Sequence, residues 1–507
     1  MNSSLNYFAW RTGPDWLRPA VQEVAADFML MCDESGGRPH YWFDLAVEQN
    51  GRGASLVSFS VCTACGWRWL EQREADGASL LPAEIKRLAR LTAFMALQAA
   101  LPDRPRPPWG ILHGIRPGKL ATRLLSAGLA ATETQHRLAD AYGVSADRAT
   151  LITDIALRQQ PYLAALAAPR QVGVYVSVPF CPTRCLYCSF PSAVRPSAPL
   201  IRSFLQAVGH DIAAVIQLLT RFNLVVKTLY VGGGTPTVLA DDEFQWLLTQ
   251  LAPLAAQAAE FTVEAGRPDT YSPQKLTAMA TYGVTRISLN PQTMQDATLQ
   301  QIGRCHTASE VRTQMQAIRA CGIPVVNMDV IAGLPGETEH DFDDSISQVL
   351  DLAPENLTVH TLALKRRSPL FAAGQAALAA PETVAQMVAT AASQAARYGL
   401  QPYYLYRQRY ISGNLENIGY AKPQFESRYN IQMMEEWQTV VGVGPAAVTK
   451  LVQVPGRKVA HFFMPKDAAY YAASLERLTS EREDLLASHY SAKEDMTNVD
   501  NGSARNA

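Results

Sequence analysis

The 507-residue chain contains no apolar run near the ~18 residues that a membrane span requires. Its opening stretch, MNSSLNYFAWRTGPDWLRP, has no basic segment followed by an apolar one. Neither a bilayer span nor a secretory leader is expected, and the expected address is the cytoplasm. Charge is sparse and balanced, with 18% charged residues and a net charge of −1. The missing basic excess argues against a nucleic-acid partner, whose footprint is a basic stripe. Cysteine is scarce too, eight residues in all. In a reducing compartment, clustered cysteines point to metal or catalysis rather than to disulfides. What is abundant is apolar: 48% of the chain is hydrophobic, enough for two or three cores at this length.

Between about 172 and 410 the periodicity alternates. Short β-type runs lie at 173–180, 226–233, 260–266, 285–291, 325–335 and 356–364, with helical patterns between them. Ser272 before Pro273 reads as an N-cap followed by proline at the first helical position. Thr338 with Asp341 reads as a capping box. Gly283 and Gly322 fit left-handed helix ends. Six strands alternating with helices, with no reversal of pattern, predict an α/β fold of the open, partial (β/α)6 barrel type. Chemistry is then expected at the C-terminal ends of the strands. Residues 1–170 are less regular and read as a separate N-terminal α+β domain. The barrel is assigned to 171–365, a C-terminal extension that covers the substrate to 366–475, and a polar, disordered tail to 476–507.

Three of the eight cysteines, Cys181, Cys185 and Cys188, fall within VPFCPTRCLYCSF, just after the first barrel strand. Spacings of four and three residues let thiolates approach one centre. A structural zinc would need a fourth ligand, and none lies nearby. A three-cysteine 4Fe-4S cluster leaves one iron open to bind something else. A zinc site completed by a remote ligand, or small buried apolar residues, are the alternatives.

CPTRCLYC resembles the CxxxCxxC signature of radical S-adenosylmethionine (SAM) enzymes. YVSVPFC, TLYVGGGTPTVL, RISLNPQTMQDATLQQIGR and NMDVIAGLPGET resemble the oxygen-independent coproporphyrinogen III oxidase group. GILHGIRPGK and YYLYRQRYISGNLENIGYAKP are most like its HemZ, or coproporphyrinogen dehydrogenase, branch. The likeness covers about 110–450. It implies a radical SAM partial barrel whose cofactors are a 4Fe-4S cluster, held by Cys181, Cys185 and Cys188, and SAM. It implies SAM contacts from Tyr175, Tyr187, Gly233, Gly234, Thr235, Glu264, Gln292, Arg304, Asp329 and Ala363. These residue types suit a zwitterionic ligand with a ribose diol: glycine admits close backbone approach, carboxylates accept from hydroxyl or ammonium, and arginine forks onto a carboxylate. The plainer readings are a tight turn at GGGTP, a surface acid at Glu264, a solvated charge at Arg304 and a salt-bridge partner at Asp329. Phe190 stands where some relatives carry a further cysteine, and Asn290-Pro291-Gln292 stands where a Gly-Val-Gln motif occurs.

The resemblance further implies that a 5′-deoxyadenosyl radical takes hydrogen from a propionate of coproporphyrinogen III. Loss of CO₂ and one electron leaves a vinyl, and two rounds give protoporphyrinogen IX. A low-potential electron donor such as flavodoxin or ferredoxin is implied as a partner. The propionates call for cations, for which Lys365-Arg366-Arg367, and above all Arg407 and Arg409, are candidates. A haem-binding chaperone of the same ancestry, without oxidase activity, is the alternative. An RNA-modifying enzyme with a second cluster at Cys32, Cys62 and Cys65 is a third reading, which the neutral charge disfavours. Cys62-Thr-Ala-Cys65 otherwise reads as structural. GIRPGKL lacks the Ser or Thr of a phosphate loop, and GVGPAA (442–447) reads as a turn entering a helix.

Overall fold

The structure is a computed structural model. It describes the whole chain except residues 1–5, 29, 33–39, 50–54, 64–65, 76–80, 115, 167, 169, 364, 366–367, 373–377, 409–410, 456–457 and 504–507. The described chain divides into two compact units, Met1–Leu157 and Arg158–Ala507.

The first unit carries a five-stranded sheet of β1 (Asn6–Thr12), β2 (Leu30–Cys32), β3 (Tyr41–Gln49), β4 (Ser55–Thr63) and β5 (Arg68–Ala75), in the order β2-β1-β3-β4-β5. β1 runs parallel to both its neighbours, whereas β3-β4 and β4-β5 are antiparallel. Alternation along β4 buries Val57, Phe59 and Val61 against Leu88, Phe94 and Leu97 of the helix Pro82–Ala100. Phe8 stacks on Phe43, with ring centres 4.3 Å apart.

The second unit is built on an eleven-stranded sheet. Its centre is β6 (Gln171–Val178), β9 (Val225–Gly233), β10 (Glu260–Val263), β11 (Arg286–Ser288), β12 (Val325–Ala332) and β13 (Asn356–Thr361), between which come the short β7 (Phe180–Cys181) and β8 (Ala193–Val194). These six strands lie side by side in chain order, every pair parallel, which is the expected (β/α)6 succession. Beyond β13 the sheet continues antiparallel through β15 (Asn417–Ala421) to β14 (Gln401–Tyr406). Beyond β6 it continues through the parallel β16 (Val440–Val443) to the antiparallel β17 (Val448–Val454) and β18 (Lys458–Phe463). The central strands are buried on both faces, and they read as near-continuous apolar runs for that reason.

The helix ends follow the local code. Ser272 Oγ accepts from Lys275 N, and Thr338 and Asp341 exchange the two bonds of a capping box. Gly283 and Gly322 sit at φ of 76° and 73°, past their helix ends. Two expectations fail. GVGPAA does not enter a helix: it ends β16 and turns into β17, because Gly444, at φ 89°, packs on Ser177 O. Residues 476–490 are not a polar tail but part of the helix Leu475–Ser503. Leu478, Arg482, Leu486 and Tyr490 recur at helical spacing and are buried. Among the described residues, no helix is long and apolar enough to cross a membrane.

Candidate active site

One cavity opens at the C-terminal ends of the central strands. Its wall includes all thirteen residues expected at the cluster and SAM sites: Cys181, Cys185, Cys188, Tyr175, Tyr187, Gly233, Gly234, Thr235, Glu264, Gln292, Arg304, Asp329 and Ala363.

The cysteine loop follows β6 and is tied down by backbone bonds. Leu186 N donates to Ile302 O at 3.0 Å, Leu370 N donates to Leu186 O at 2.9 Å, and Cys188 N donates to Cys185 O at 3.2 Å. Thr235 Oγ1 reaches Cys181 Sγ at 3.6 Å. Arg267 Nη1 lies 3.6 Å from Cys185 Sγ. Burial pushes the Cys188 thiol above its ordinary pKa, so metal binding must displace a tightly held proton there. Among the described residues no group of three His, Cys, Asp or Glu is gathered as for a single metal ion. The three cysteines line one cavity, and thiolates are the ligands that an iron–sulfur cluster takes. The donor set therefore fits a three-cysteine cluster.

The SAM-type half fits as well. β9 ends in Gly232-Gly233, with Gly233 at φ 111°, and Gly234 follows it. A Cβ on Gly234 would lie 2.4 Å from Phe180 O, and one on Gly232 2.6 Å from Glu264 Oε2. Glycine is thus required here by the close approach of Phe180 and Glu264. Gln292 is a non-glycine residue at φ 72°, held between β11 and β12 by its N–H to Asp329 O and by its carbonyl from Ile331 N. Its Oε1 is buried without a partner, as is Oδ1 of Asn290 beside it. A strained backbone and two unmet polar atoms thus lie together on the cavity wall.

Glu264 is no surface acid. Burial, and then the neighbouring Asp329 charge, push its carboxyl up to about 7, against the N–H of Gly233 and the hydroxyl of Tyr230. Burial acts in the same direction on Asp329. There it is outweighed by the bond and charge of His360, with Asn327 and Thr358 assisting, and Asp329 stays below the usual carboxylate range. Asn327 Nδ2 donates to Asp329 Oδ1 at 2.8 Å, and His360 Nε2 stands 3.5 Å from Oδ2. Arg304 is not solvated either. It is 7% exposed and donates to Asn290 O at 2.6 Å, Gly266 O at 3.2 Å and Tyr187 Oη at 3.0 Å. Tyr187 in turn packs on the apolar cluster around Leu299, Ile302 and Leu334.

A consequence for stability follows from Glu264. Its folded pKa of about 7 exceeds the ordinary 4.5, so the folded chain holds this proton more tightly than the unfolded one. The stability associated with it is full below about pH 4.5 and falls as pH rises through about 7. In ligand-free protein, Glu264→Gln is expected to raise unfolding free energy at pH 8 by at most about 3 kcal/mol and to change it little at pH 4. Denaturant titrations at the two pH values check this.

The expected propionate cations are not assembled as foreseen. Arg407 is 6% exposed, donates to Asn414 O and Oδ1, and is absent from the cavity wall. Its neighbour Gln408 lines the cavity instead. Arg409, Arg366, Arg367 and Cys65 lie outside the described residues, whereas Lys365 lines the cavity.

Three wall residues, Tyr230, His360 and Arg267, were not foreseen, nor was Tyr429, which packs on the first of them. Tyr230 is the cross-strand partner of Tyr175, a pairing that strand register alone would have offered. Tyr429 stacks on Tyr230 at 4.2 Å. It arrives on the helix Arg428–Glu435, whose first N–H groups are held by Glu260, and no local signal announces it. His360 follows Thr358 by two residues on β13. Arg267 stands three residues after Glu264 in EAGRPDT.

Residues 175–349 match the family model of the radical SAM superfamily. The chain is 39% identical over 380 residues to the oxygen-independent coproporphyrinogen-III oxidase-like protein HemZ of Bacillus subtilis, covering 74% of this chain and 76% of that protein. It is 30% identical over 265 residues to the haem chaperone HemW of the same organism, covering 51% and 66%. Among solved structures it is similar to coproporphyrinogen III oxidase (HemN) from Escherichia coli. The TM-score is 0.51 at 21% identity, covering 63% of this chain and 73% of that one, a likeness of fold.

Proposed function

The chain belongs to the radical SAM superfamily and, within it, to the oxygen-independent coproporphyrinogen III oxidase-like proteins, and from this premise we propose that it decarboxylates two propionates of coproporphyrinogen III to vinyls, giving protoporphyrinogen IX. A 4Fe-4S cluster and SAM are its cofactors. The observation that carries the reading is the single cavity on which the cysteine loop, the glycine-rich strand end and the two carboxylates meet.

In this reading Cys181, Cys185 and Cys188 would hold the cluster, and the cavity they line would hold SAM. When bound, the pair supplies a carbon radical able to take hydrogen from an unactivated position. The chain's own work is to bind, orient and shield. Gly233 and Gly234 line the methionine part with backbone bare of side chains, and Tyr187, fixed by Arg304, closes on the adenine. Asp329 stays charged and accepts from the ribose diol. Glu264 gives up its proton to meet positive charge on SAM, so SAM affinity is expected to rise as pH passes through about 7, and calorimetry at pH 6 and 8 reads this. Tyr230, Tyr404 and Tyr406 line the same cavity and offer flat faces to a tetrapyrrole. Lys365 offers a cation to a propionate. Residues 366–475 cover the substrate, with an electron entering from a low-potential donor.

An anaerobic mixture of reconstituted protein, SAM, reductant and coproporphyrinogen III tests the reading by product analysis. Protoporphyrinogen IX with methionine and 5′-deoxyadenosine is the expected outcome. SAM cleavage without a vinyl product would overturn it. Haem retained stoichiometrically in its place would support the chaperone alternative, which the identity to HemW keeps in view.

A further inference from the structure

Arg267 has 3% side-chain exposure and reaches the sulfur of Cys185. Its Nε and Nη2 fork onto Asp269 at 2.9 and 2.8 Å. The remaining nitrogen, Nη1, donates to Thr183 Oγ1 at 3.0 Å and points at Cys185 Sγ at 3.6 Å. Thr183 is itself anchored, its Oγ1 donating to Gly303 O at 3.2 Å. A buried guanidinium is therefore aimed at a metal ligand by an acid on one side and a hydroxyl on the other.

We propose that Arg267 is a positioning residue that sets the reduction potential of the cluster through its hydrogen bond and charge at Cys185. The inference rests on the reading that Cys181, Cys185 and Cys188 hold the cluster. Reduction brings one electron from an external low-potential donor and adds negative charge to the cluster and its thiolates, with no bond made or broken. A guanidinium on a thiolate favours the more negative state, so it raises the potential. Burial keeps the interaction from being screened by salt. Asp269 weakens the field in part, and its main effect is geometric, since the fork fixes which nitrogen meets the sulfur. The cluster is thereby made easier for a donor to reduce, at some expense to its reducing power toward SAM.

A plain buried ion pair that only braces the loop would make a different prediction, and potentiometry separates the two. Full-length wild type, Arg267→Gln and Arg267→Lys are reconstituted anaerobically without SAM. Iron is counted, and the EPR signal of the reduced cluster is followed against potential. In Arg267→Gln the reduced fraction relative to oxidised, at the wild-type midpoint, is expected to fall about tenfold, equal to about 59 mV for one electron. Arg267→Lys, which keeps the charge, is expected to fall less. A fully loaded Arg267→Gln with the wild-type midpoint overturns the proposal. If that variant loses iron, Arg267→Gln/Asp269→Asn, which removes both halves of the buried pair, takes its place. A lowered midpoint there supports the proposal, and an unchanged midpoint or renewed loss of iron overturns it. Failure of the wild type to take up any cluster would instead sink the reading of the three cysteines.

Discussion

Cys185→Ser leaves a folded chain that no longer builds its cluster: iron falls well below about four per chain, and SAM cleavage drops by more than a hundredfold. Cys185 is the most enclosed of the three cysteines, at 9% exposure, and meets Arg267. Serine is nearly isosteric but presents a neutral hydroxyl where a thiolate must bind iron. Losing only an outer partner of a metal site already costs about 10–100-fold, so loss of a ligand exceeds that range. Cys305→Ser is the matched control, since Cys305 is exposed and off the cavity wall. Iron analysis and 5′-deoxyadenosine formation, measured side by side, check both.

The second large effect is on stability, far from the chemistry. Asp211 is fully buried. It accepts from Gly444 N at 3.0 Å, Tyr471 Oη at 2.6 Å and Arg482 Nη2 at 2.5 Å. Arg482, also buried, spends Nη1 on Gly442 O at 2.9 Å. One pair thus fastens the helix Ala198–Arg221, the end of β16 and the helix Leu475–Ser503. Removing one partner strands the other charge. Asp211→Ala is expected to cost the Arg158–Ala507 unit about 3–5 kcal/mol in denaturant titration. Asp211→Leu/Arg482→Met, which strands no charge, is expected to recover a large part of that loss. The end of β16 lies against Ser177 on the cavity wall, so the single variant should weaken SAM binding as well.

Much of this was legible in the chain itself. A parallel strand buried on both faces writes a continuous apolar run, and a helix between strands writes a 3.6 period. The six-strand succession could therefore be read from residues 173–364 without a template. The cysteine loop was legible because three thiols in eight residues have few uses. Arg267 and Tyr429 were not. Each acts through contacts made across the fold, and an arginine three residues after a glutamate carries no local mark. Arg407 shows the same limit: a cation near a strand end looks available until the fold gives it partners, here Asn414 O and Oδ1. The GVGPAA turn and the helix after 475 were missed because their partners, Ser177 and Asp211, lie 233 to 271 residues away.

If the radical chemistry and the propionate meet in this cavity, hydrogen passes from the propionate to 5′-deoxyadenosine. Turnover of coproporphyrinogen III deuterated on its propionate carbons, followed by mass spectrometry of 5′-deoxyadenosine, tests it directly. Deuterium in 5′-deoxyadenosine, rising in step with vinyl product, is the predicted result. Unlabelled 5′-deoxyadenosine from a protein that binds the substrate would contradict it.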